Sequence, residues 1–225
     1  MVDTDADKET IAILGGTGDL GTGLAIRWSK AGYKIVIGSR TLEKAQNAVA
    51  NLQAISPETP ADAMVNADAA VAGDIVVLTV PAEHQLSTLA GVKSALTGKI
   101  LIDVTVPLVP PKVGTVQLPQ EGSAGKRAQD LLGESVMVVT AFQNIAAHLL
   151  QQDVQIECDV LVAGNKKVAR DKVIQLAEEA GLTAWHAGPV ENSAAAEALT
   201  SILIQINRRH DISHSGIKIV GQADH

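Results

Sequence analysis

The first forty residues combine two kinds of hydrophobic pattern. Ile11 to Leu14 form an apolar run that is too short for a helix, and a second such run follows at Lys34 to Ile37. Between them, residues 24–28 place apolar side chains at helical spacing, and Gly32 ends that pattern. A glycine cluster joins the first run to the helix. This order of strand, glycine turn, helix and strand has the length of a dinucleotide-binding unit.

The same alternation continues through the rest of the chain. Helical patterns separate the later apolar runs, and the last one, Asn192 to Asn207, is mostly apolar. A helix from Lys167 to Ala180 is expected to bury Val168, Val173, Ile174 and Leu176. The pattern predicts an α/β fold of Rossmann type, with a doubly wound, mostly parallel sheet and a smaller C-terminal part. The further predicted strands are Asp74–Val80, Lys99–Val106, Ser135–Thr140 and Asp159–Ala163.

We divide the chain into two parts on this basis. Residues 1–140 are predicted to form an NADP-binding Rossmann domain. Residues 141–225 are predicted to form a smaller C-terminal domain, and its apolar last helix favours packing against another subunit, with a core of a single chain as the alternative.

Three glycines fit the dinucleotide fingerprint G-x-G-x-x-G. Gly16 is expected to permit a tight turn, Gly18 to leave room for a pyrophosphate, and Gly21 to let the helix pack closely on the strand. The pyrophosphate would then lie on free N–H groups at the positive end of the helix. Asp19 places a carboxylate nearby, and its other role is a favourable charge at a helix start.

The end of the second strand indicates which dinucleotide is bound. NAD-binding versions usually place an acidic residue there, whereas this chain has Ser39 and Arg40, with Lys44 one helical turn later. A hydroxyl and two cations would hold a 2′-phosphate that a carboxylate would repel. The position therefore favours NADP, and two cations on a solvated helix face are the alternative.

Composition narrows the class of partner. The chain has 225 residues, 46% of them hydrophobic and 2% aromatic, with a formal net charge of −7. Scarce aromatic residues and an acidic balance argue against nucleic acid and against a membrane surface as partners. Cys158 is the single cysteine, so no internal disulfide forms, and its neighbours predict a buried thiol. The polar N-terminus lacks the features of a secretory signal, which predicts a cytoplasmic protein.

The carboxyl ends of the predicted strands carry further candidates for a cofactor site. Val80, Pro81 and His84 follow one strand, although His84 could equally cap a helix or lie on the surface. Gln143 and Asn144 follow another strand and offer amide groups, and Ile145 with the following alanines offers an apolar wall.

Groups for acid–base or covalent chemistry are scarce. There is no Tyr-x-x-x-Lys pair, no Ser/His/Asp set and no clear metal cluster, and the three histidines of the tail from Arg208 to His225 lack ligand spacing. We therefore assign no catalytic residue and no metal. The shortage suggests hydride transfer to a flat redox partner, in which alignment of the two reacting carbons does most of the work.

Several stretches together resemble the NADPH-dependent reductases of the deazaflavin coenzyme F420. The resemblance covers nearly the whole chain, and the AGP-x-x-NS segment is absent from generic Rossmann enzymes. The stretches are LGGTGDLGTGLAIRWSKAGYKIVIGSR, LTVPAEH, KILIDVTVPL, AGPVENSAAAEALTSILIQIN and GIKIV. The resemblance implies a homodimer that exchanges a hydride directly and reversibly between C4 of NADP(H) and C5 of coenzyme F420, a small-molecule co-substrate.

The resemblance also implies roles for particular residues. Those matching the phosphate turn are Thr17, Gly18, Asp19 and Leu20, those matching the 2′-phosphate site are Ser39, Arg40 and Lys44, and those matching the nicotinamide side and further cofactor contacts are Val80, His84, Val106 and Ala147. Some archaeal members carry His and Pro where this chain has Gln143 and Ala146. A hydrogen bond to the deazaflavin ring would then come from Gln143 or the local backbone.

Two other functions stay open at this point. An imine reductase similar to pyrroline-carboxylate reductase shares the N-terminal fold, but such enzymes have a longer helical C-terminal region. A non-catalytic NADP sensor would bind NADPH tightly and oxidise it with no acceptor.

Overall fold

The computed structural model describes residues 8–221. Most of the polar N-terminus discussed above, and His225 of the tail, lie outside this range. The strands are β1 (Thr10–Leu14), β2 (Lys34–Ser39), β3 (Ala61–Val65), β4 (Ile75–Leu78), β5 (Ile100–Asp103), β6 (Met137–Thr140), β7 (Asp159–Gly164) and β8 (Thr183–Gly188). The α-helices are α1 (Asp19–Lys30), α2 (Leu42–Ile55), α3 (Asn66–Ala72), α4 (Gln85–Val92), α5 (Ala124–Leu132), α6 (Ala147–Leu150), α7 (Lys167–Glu179) and α8 (Ser193–His210). Short 3₁₀ turns precede α4 and α8 and follow α4.

The strands form one sheet in the order β3-β2-β1-β4-β5-β6-β7-β8. Neighbouring strands are parallel except for β6 and β7, which are antiparallel. The chain starts in the middle of the sheet and winds outward in both directions, so a crevice opens at the carboxyl ends of β1 and β4. The predicted doubly wound, mostly parallel α/β fold is confirmed.

Aliphatic side chains fill the core on both faces of the sheet, as the short apolar runs predict. Strand β4 is buried along its whole length, and β1 is buried from Ile11 onward, because helices cover both faces. Two large aromatic residues add to one face: Trp28 and Phe142 meet edge to face, with ring centroids 5.9 Å apart. Cys158 is buried, as predicted.

On helix α7, hydrophobic periodicity alone predicted the wrong buried residue. Val168 was expected on the apolar side but is 68% exposed, and the adjacent Ala169 is fully buried instead. The helix turns its alanine face to the sheet in its first turn, and Val173 and Leu176 continue that buried face. A small residue beside a larger apolar one can therefore take the inward position where the helix lies close to the sheet.

The sheet runs without a break across residue 140. The junction between β6 and β7 consists of two paired positions, Val139 with Gly164 and Thr140 with Ala163. The other strand pairs have four or five. The division of the chain at residue 140 stays a prediction. The short ladder between β6 and β7 lies at this position.

Within the described part of the chain, none of the helices is long and apolar enough to cross a bilayer.

Candidate active site

The glycine turn between β1 and α1 is held by close backbone approaches. Gly15 has a φ of +72°, which few L-residues adopt, and its N–H donates to the carbonyl oxygen of Gly38 on β2 at 2.9 Å. A Cβ on Gly21 would lie 2.9 Å from the Gly16 Cα, so a side chain there would push α1 away. A Cβ on Gly18 would meet no atom within 4 Å. Gly18 therefore faces open space, which is what a pyrophosphate needs.

Helix α1 presents unpaired donors beside that space. Gly18 caps the helix without a side-chain hydrogen bond, and its carbonyl oxygen accepts the first helical bond, from the Thr22 N–H at 3.0 Å. The N–H groups of Asp19, Leu20 and Gly21 thus have no partner inside the helix. This arrangement suits an anion.

A cleft of about 380 Å³ lies beside the turn, across the carboxyl ends of β1, β2 and β4. It brings together seven of the predicted cofactor residues, which come from three separate stretches of sequence. Its lining residues are Gly15, Thr17, Ser39, Arg40, Lys44, Asn47, Ala48, Asn51, Asn66, Val80, Pro81, His84 and Thr88.

The part of the cleft beside the end of β2 is positively charged. Ser39 is buried at the end of β2, whereas Arg40 and Lys44 are exposed. Among the ion pairs of residues 8–221, neither Arg40 nor Lys44 takes part in one. Among the described residues, none that line the cleft carries a carboxylate, so both cations could bind a phosphate group.

The sequence analysis missed six lining residues of the cleft, Gly15, Ala48 and four polar residues. Asn47 and Asn51 lie on α2, Asn66 begins α3, and Thr88 lies on α4. Polar residues on amphipathic helices usually face solvent, so their spacing gave no signal. Asn66 could have attracted attention because it follows a strand directly. Its Oδ1 is buried and has no hydrogen-bond partner in the structure.

The residues after β6 line a second cavity, of about 260 Å³, against α8. Gln143 is buried, and its side-chain amide donates to the Asp103 carbonyl oxygen at 3.0 Å, while its own backbone carbonyl accepts from the Thr200 hydroxyl at 2.8 Å. The Asn144 amide donates to the Asp159 carbonyl oxygen at 2.9 Å. The side-chain oxygens of Gln143 and Asn144 are buried acceptors without a partner in the described chain. Ile145 also lines this cavity.

Two further candidates, Val106 and Ala147, line neither the cleft nor the second cavity. Val106 is partly buried on the strand exit after β5. Ala147 begins α6, and its carbonyl oxygen would lie 3.1 Å from a Cβ on Gly23 of α1. The predicted site residues thus lie in five places: the glycine turn, the cleft, the exit from β5, the segment after β6 and the contact between α1 and α6.

A buried polar network joins the start of α4, the end of β5 and the start of α5. The Gln85 amide donates to the Asp103 carboxylate at 2.5 Å and to the Ala124 carbonyl oxygen at 2.9 Å, and Arg127 donates to the Gln85 side-chain oxygen at 2.8 Å. Because Gln85 directly follows His84, the network fixes the rim of the cleft. Burial raises the pKa of Asp103, although hydrogen bonds from Thr105 and Gln85 act against it.

Glu197 of α8 also joins this network, through Ala124 of α5. Its carboxylate accepts from the backbone N–H groups of Ala124 and Gly125, at 2.7 and 3.0 Å, at the first turn of α5. The residue is 1% exposed, and burial raises its pKa to about 7 despite those two hydrogen bonds. The last helix is therefore joined to the cofactor half of the sheet by a buried carboxyl group.

The chain was compared with known proteins. Residues 10–107 match the family model described as NADP oxidoreductase, coenzyme F420-dependent. The chain is 41% identical over 218 residues to the F420-dependent NADP reductase of Methanocaldococcus jannaschii, a match covering 93% of this chain and 97% of that protein. The chain belongs to this reductase family. The F420-dependent NADP reductase of Methanothermobacter thermautotrophicus is 39% identical over the same length and is covered to 94%. The family predicted from the sequence is confirmed.

Solved structures agree with the fold. A protein described as an F420-dependent NADP reductase from Arthrobacter sp. FB24 superposes with a TM-score of 0.82 and 23% identity, covering 95% of this chain and all of that one. A pyrroline-5-carboxylate reductase from Coxiella burnetii gives a TM-score of 0.61 at 17% identity, and the match covers 68% of its length. The shared part with the imine-reducing enzyme is therefore the common fold.

Proposed function

We propose that this protein catalyses reversible, direct hydride transfer between NADP(H) and coenzyme F420. The observation that carries the proposal is the 41% identity, over nearly the full length of both chains, to an F420-dependent NADP reductase. When bound, the nicotinamide supplies or receives the hydride at C4, and the deazaflavin does so at C5. The protein's contribution is to hold the two rings together and to exclude water.

The cleft supports NADP(H) as the nucleotide. Open space at Gly18 and unpaired N–H groups at the start of α1 suit the pyrophosphate, and Ser39, Arg40 and Lys44 suit the 2′-phosphate. Val80, Pro81 and His84 line the cleft just after β4, and we place the nicotinamide beside them. Asp19 points its carboxyl group to solvent and would contribute through its backbone N–H.

We assign the deazaflavin to the segment after β6. The unpartnered side-chain oxygen of Gln143 can accept a hydrogen bond from a ring N–H. Ile145, which lines the second cavity, and the partly buried Ala147 would supply apolar contacts. Val106, at the exit from β5, would border the same ring. In this proposal the part of the chain after residue 140 completes the cleft, and no side chain forms a covalent bond or supplies a proton.

We also propose that the protein is a homodimer and that it is located in the cytoplasm. Helix α8 leaves Ile202 46% exposed in the middle of an otherwise half-buried apolar sequence, which suits a second copy of the chain. Both proposed substrates are intracellular coenzymes, and this is the reason for the location.

The test is a direct assay with purified protein, NADPH and oxidised F420. We expect protein-dependent bleaching of the deazaflavin's long-wavelength absorbance, with NADH a much poorer donor. Bleaching that is equally fast with NADH would contradict the NADP assignment while leaving the reaction intact.

A second assay separates the alternatives. NADPH binding without bleaching, together with turnover of a cyclic imine, would overturn the proposal in favour of an imine reductase. NADPH binding with no acceptor turned over at all would favour the sensor.

A further inference from the structure

The guanidinium of Arg127, on α5, contacts the turn that leaves β4 at two points. Its Nε donates to the side-chain oxygen of Gln85 at 2.8 Å, and one of its terminal nitrogens donates to the Ala82 carbonyl oxygen at 3.3 Å. In the sequence these two acceptors flank His84, which lines the cleft. The planar fork of one arginine therefore spans the turn that borders the cleft.

Gln85 is fully buried, and both ends of its amide have partners. Its nitrogen donates to the Asp103 carboxylate at 2.5 Å and to the Ala124 carbonyl oxygen at 2.9 Å, while its oxygen accepts from Arg127. The opposite charges on its two sides determine which end is the oxygen, because an exchange would place N–H groups against the guanidinium. The Gln85 side chain therefore has one favourable orientation.

Asp103 extends these contacts to the end of β5. Its other carboxylate oxygen accepts from the Thr105 N–H at 2.9 Å, and its backbone carbonyl oxygen accepts from the Gln143 amide at 3.0 Å. Burial raises the pKa of Asp103, and the charge of Arg127 is among the influences that act against this rise. Arg127, Gln85 and Asp103 thus connect the rim of the cleft with the segment after β6.

The turn that Arg127 contacts is too short to hold its own position. It is a 3₁₀ helix of three residues, Ala82–His84, without a side-chain cap, and the His84 N–H donates to the Pro81 carbonyl oxygen at 2.9 Å. A single 3₁₀ turn has poor hydrogen-bond geometry and contributes little stability. Arg127 itself lines neither the cleft nor the second cavity, so any effect on the reaction passes through the residues that it holds.

We propose that Arg127 is a positioning residue that acts through Gln85 and Ala82 to hold the turn of residues 81–84 against the nicotinamide ring. The inference rests on the proposed function, in which the nicotinamide lies beside this turn. Hydride transfer needs the two reacting carbons about 3–3.5 Å apart, and a misplacement of about 1 Å can slow a reaction about a hundredfold. The adenosine part of the nucleotide, which we assign to the cleft beside β2, does not depend on Arg127.

Arg127→Met tests the proposal, because methionine keeps an apolar stem and removes both donors. We expect the single-turnover rate of hydride transfer from NADPH to F420 to fall about tenfold or more. The Kd of 2′,5′-ADP, which carries the 2′-phosphate but no nicotinamide, should stay within about twofold of wild type. Arg127→Lys keeps the charge but cannot span both acceptors, so it should recover part of the rate.

The adjacent cation on α5 provides a matched control. Lys126 pairs with the exposed Asp130 and has no contact with the turn, so Lys126→Met should transfer hydride as wild type does. An unchanged rate in Arg127→Met, or an equal fall in Lys126→Met, would overturn the positioning role. So would a loss of 2′,5′-ADP binding as large as the loss of rate. Failure of the wild-type protein to reduce F420 would instead contradict the proposed function.

Amide exchange tests the holding role without either co-substrate. Residues 82–88 should exchange about tenfold faster in Arg127→Met than in wild type, while β1 and β4 keep their rates. Unchanged exchange over residues 82–88 would overturn the proposal, whichever acceptor the protein uses. If β1 and β4 also exchange faster, the variant is destabilised as a whole, and the milder Arg127→Lys is measured under the same two criteria.

Discussion

At the scale of single residues, we propose that the charge at the end of β2 determines the choice of cofactor. Ser39 is buried, while Arg40 and Lys44 extend from the following turn and helix into the cleft. Hydrogen bonds to charged groups contribute about 1.5–3 kcal/mol each. Two such contacts with a 2′-phosphate would give at least a hundredfold preference for NADP over NAD.

Arg40→Glu is therefore expected to weaken NADPH binding by about a hundredfold or more and to leave NADH binding nearly unchanged, because only NADPH carries the repelled phosphate. Fluorescence titration with each nucleotide checks this. Arg208→Glu, an exposed change on α8, serves as the control for net charge. Equal loss of NADPH and NADH would rule out the 2′-phosphate assignment.

Glu197 gives a second prediction at this scale, for the dependence of stability on pH. Its pKa is about 7 in the folded protein, above the ordinary value, so the folded state binds this proton more tightly than the unfolded chain does. The stabilisation that this proton gives to the folded state is complete below the pKa of Glu197 in the unfolded chain. It is lost as pH rises to about 7. The loss amounts to about 3 kcal/mol.

Glu197→Gln cannot ionise, so its free energy of unfolding should fall less between pH 4.5 and pH 7.5 than that of the wild type. Urea unfolding at several pH values measures the difference. The exposed carboxyl of Glu191 offers a control, since Glu191→Gln should keep the wild-type slope. A slope in Glu197→Gln that equals the wild type's would contradict the raised pKa.

At the scale of elements, the turn from β1 to α1 contains glycines in two different environments. Gly21 is needed for packing, since a Cβ there would meet the Gly16 backbone at 2.9 Å. Gly18 has open space around it and a φ of −98°, which alanine can adopt. We therefore expect the motif to contain one glycine that is needed for packing, Gly21, and one that is needed for ligand binding, Gly18.

Gly21→Ala should destabilise the protein by about 1–3 kcal/mol, because the helix must move to accept the methyl group. Gly18→Ala should leave the free energy of unfolding within about 0.5 kcal/mol of wild type and still weaken NADPH binding severalfold. Denaturant unfolding and nucleotide titration of the two variants give the comparison. If Gly18→Ala bound NADPH as tightly as wild type does, the placement of the pyrophosphate at Gly18 would be wrong.

The elements themselves were largely predictable, whereas contacts between distant elements were not. Short apolar runs identified β1, β4 and β5 because strands buried on both faces have little polar sequence. Val168 was assigned wrongly because periodicity cannot tell which of two adjacent apolar residues faces the sheet. Glu197 lies in a run of alanines and gave no sign that its carboxyl caps α5, 72 positions earlier. Such long-range polar contacts depend on the three-dimensional packing.

At the scale of the whole molecule, the exposed apolar surface of α8 is where we expect a second chain. Ile202→Glu should shift the protein from dimer to monomer, since a charge in an apolar interface has no partner. Light scattering after gel filtration measures the mass. Ile55→Glu changes an equally exposed isoleucine, 49% against 46%, at the end of α2 and should leave the dimer intact. A monomeric wild-type protein would contradict the prediction outright.

The two-position ladder between β6 and β7 has a consequence for local unfolding. The other strand pairs have four or five paired positions, so this seam is the shortest ladder of the described sheet. Gly164 lies against it so closely that a Cβ would be 2.7 Å from the Val138 carbonyl oxygen, which leaves little scope for reinforcement by side chains. Strands β7 and β8 should therefore open together as one cooperative unit, and their amides should exchange with solvent at a common rate ahead of those of β1, β4 and β5.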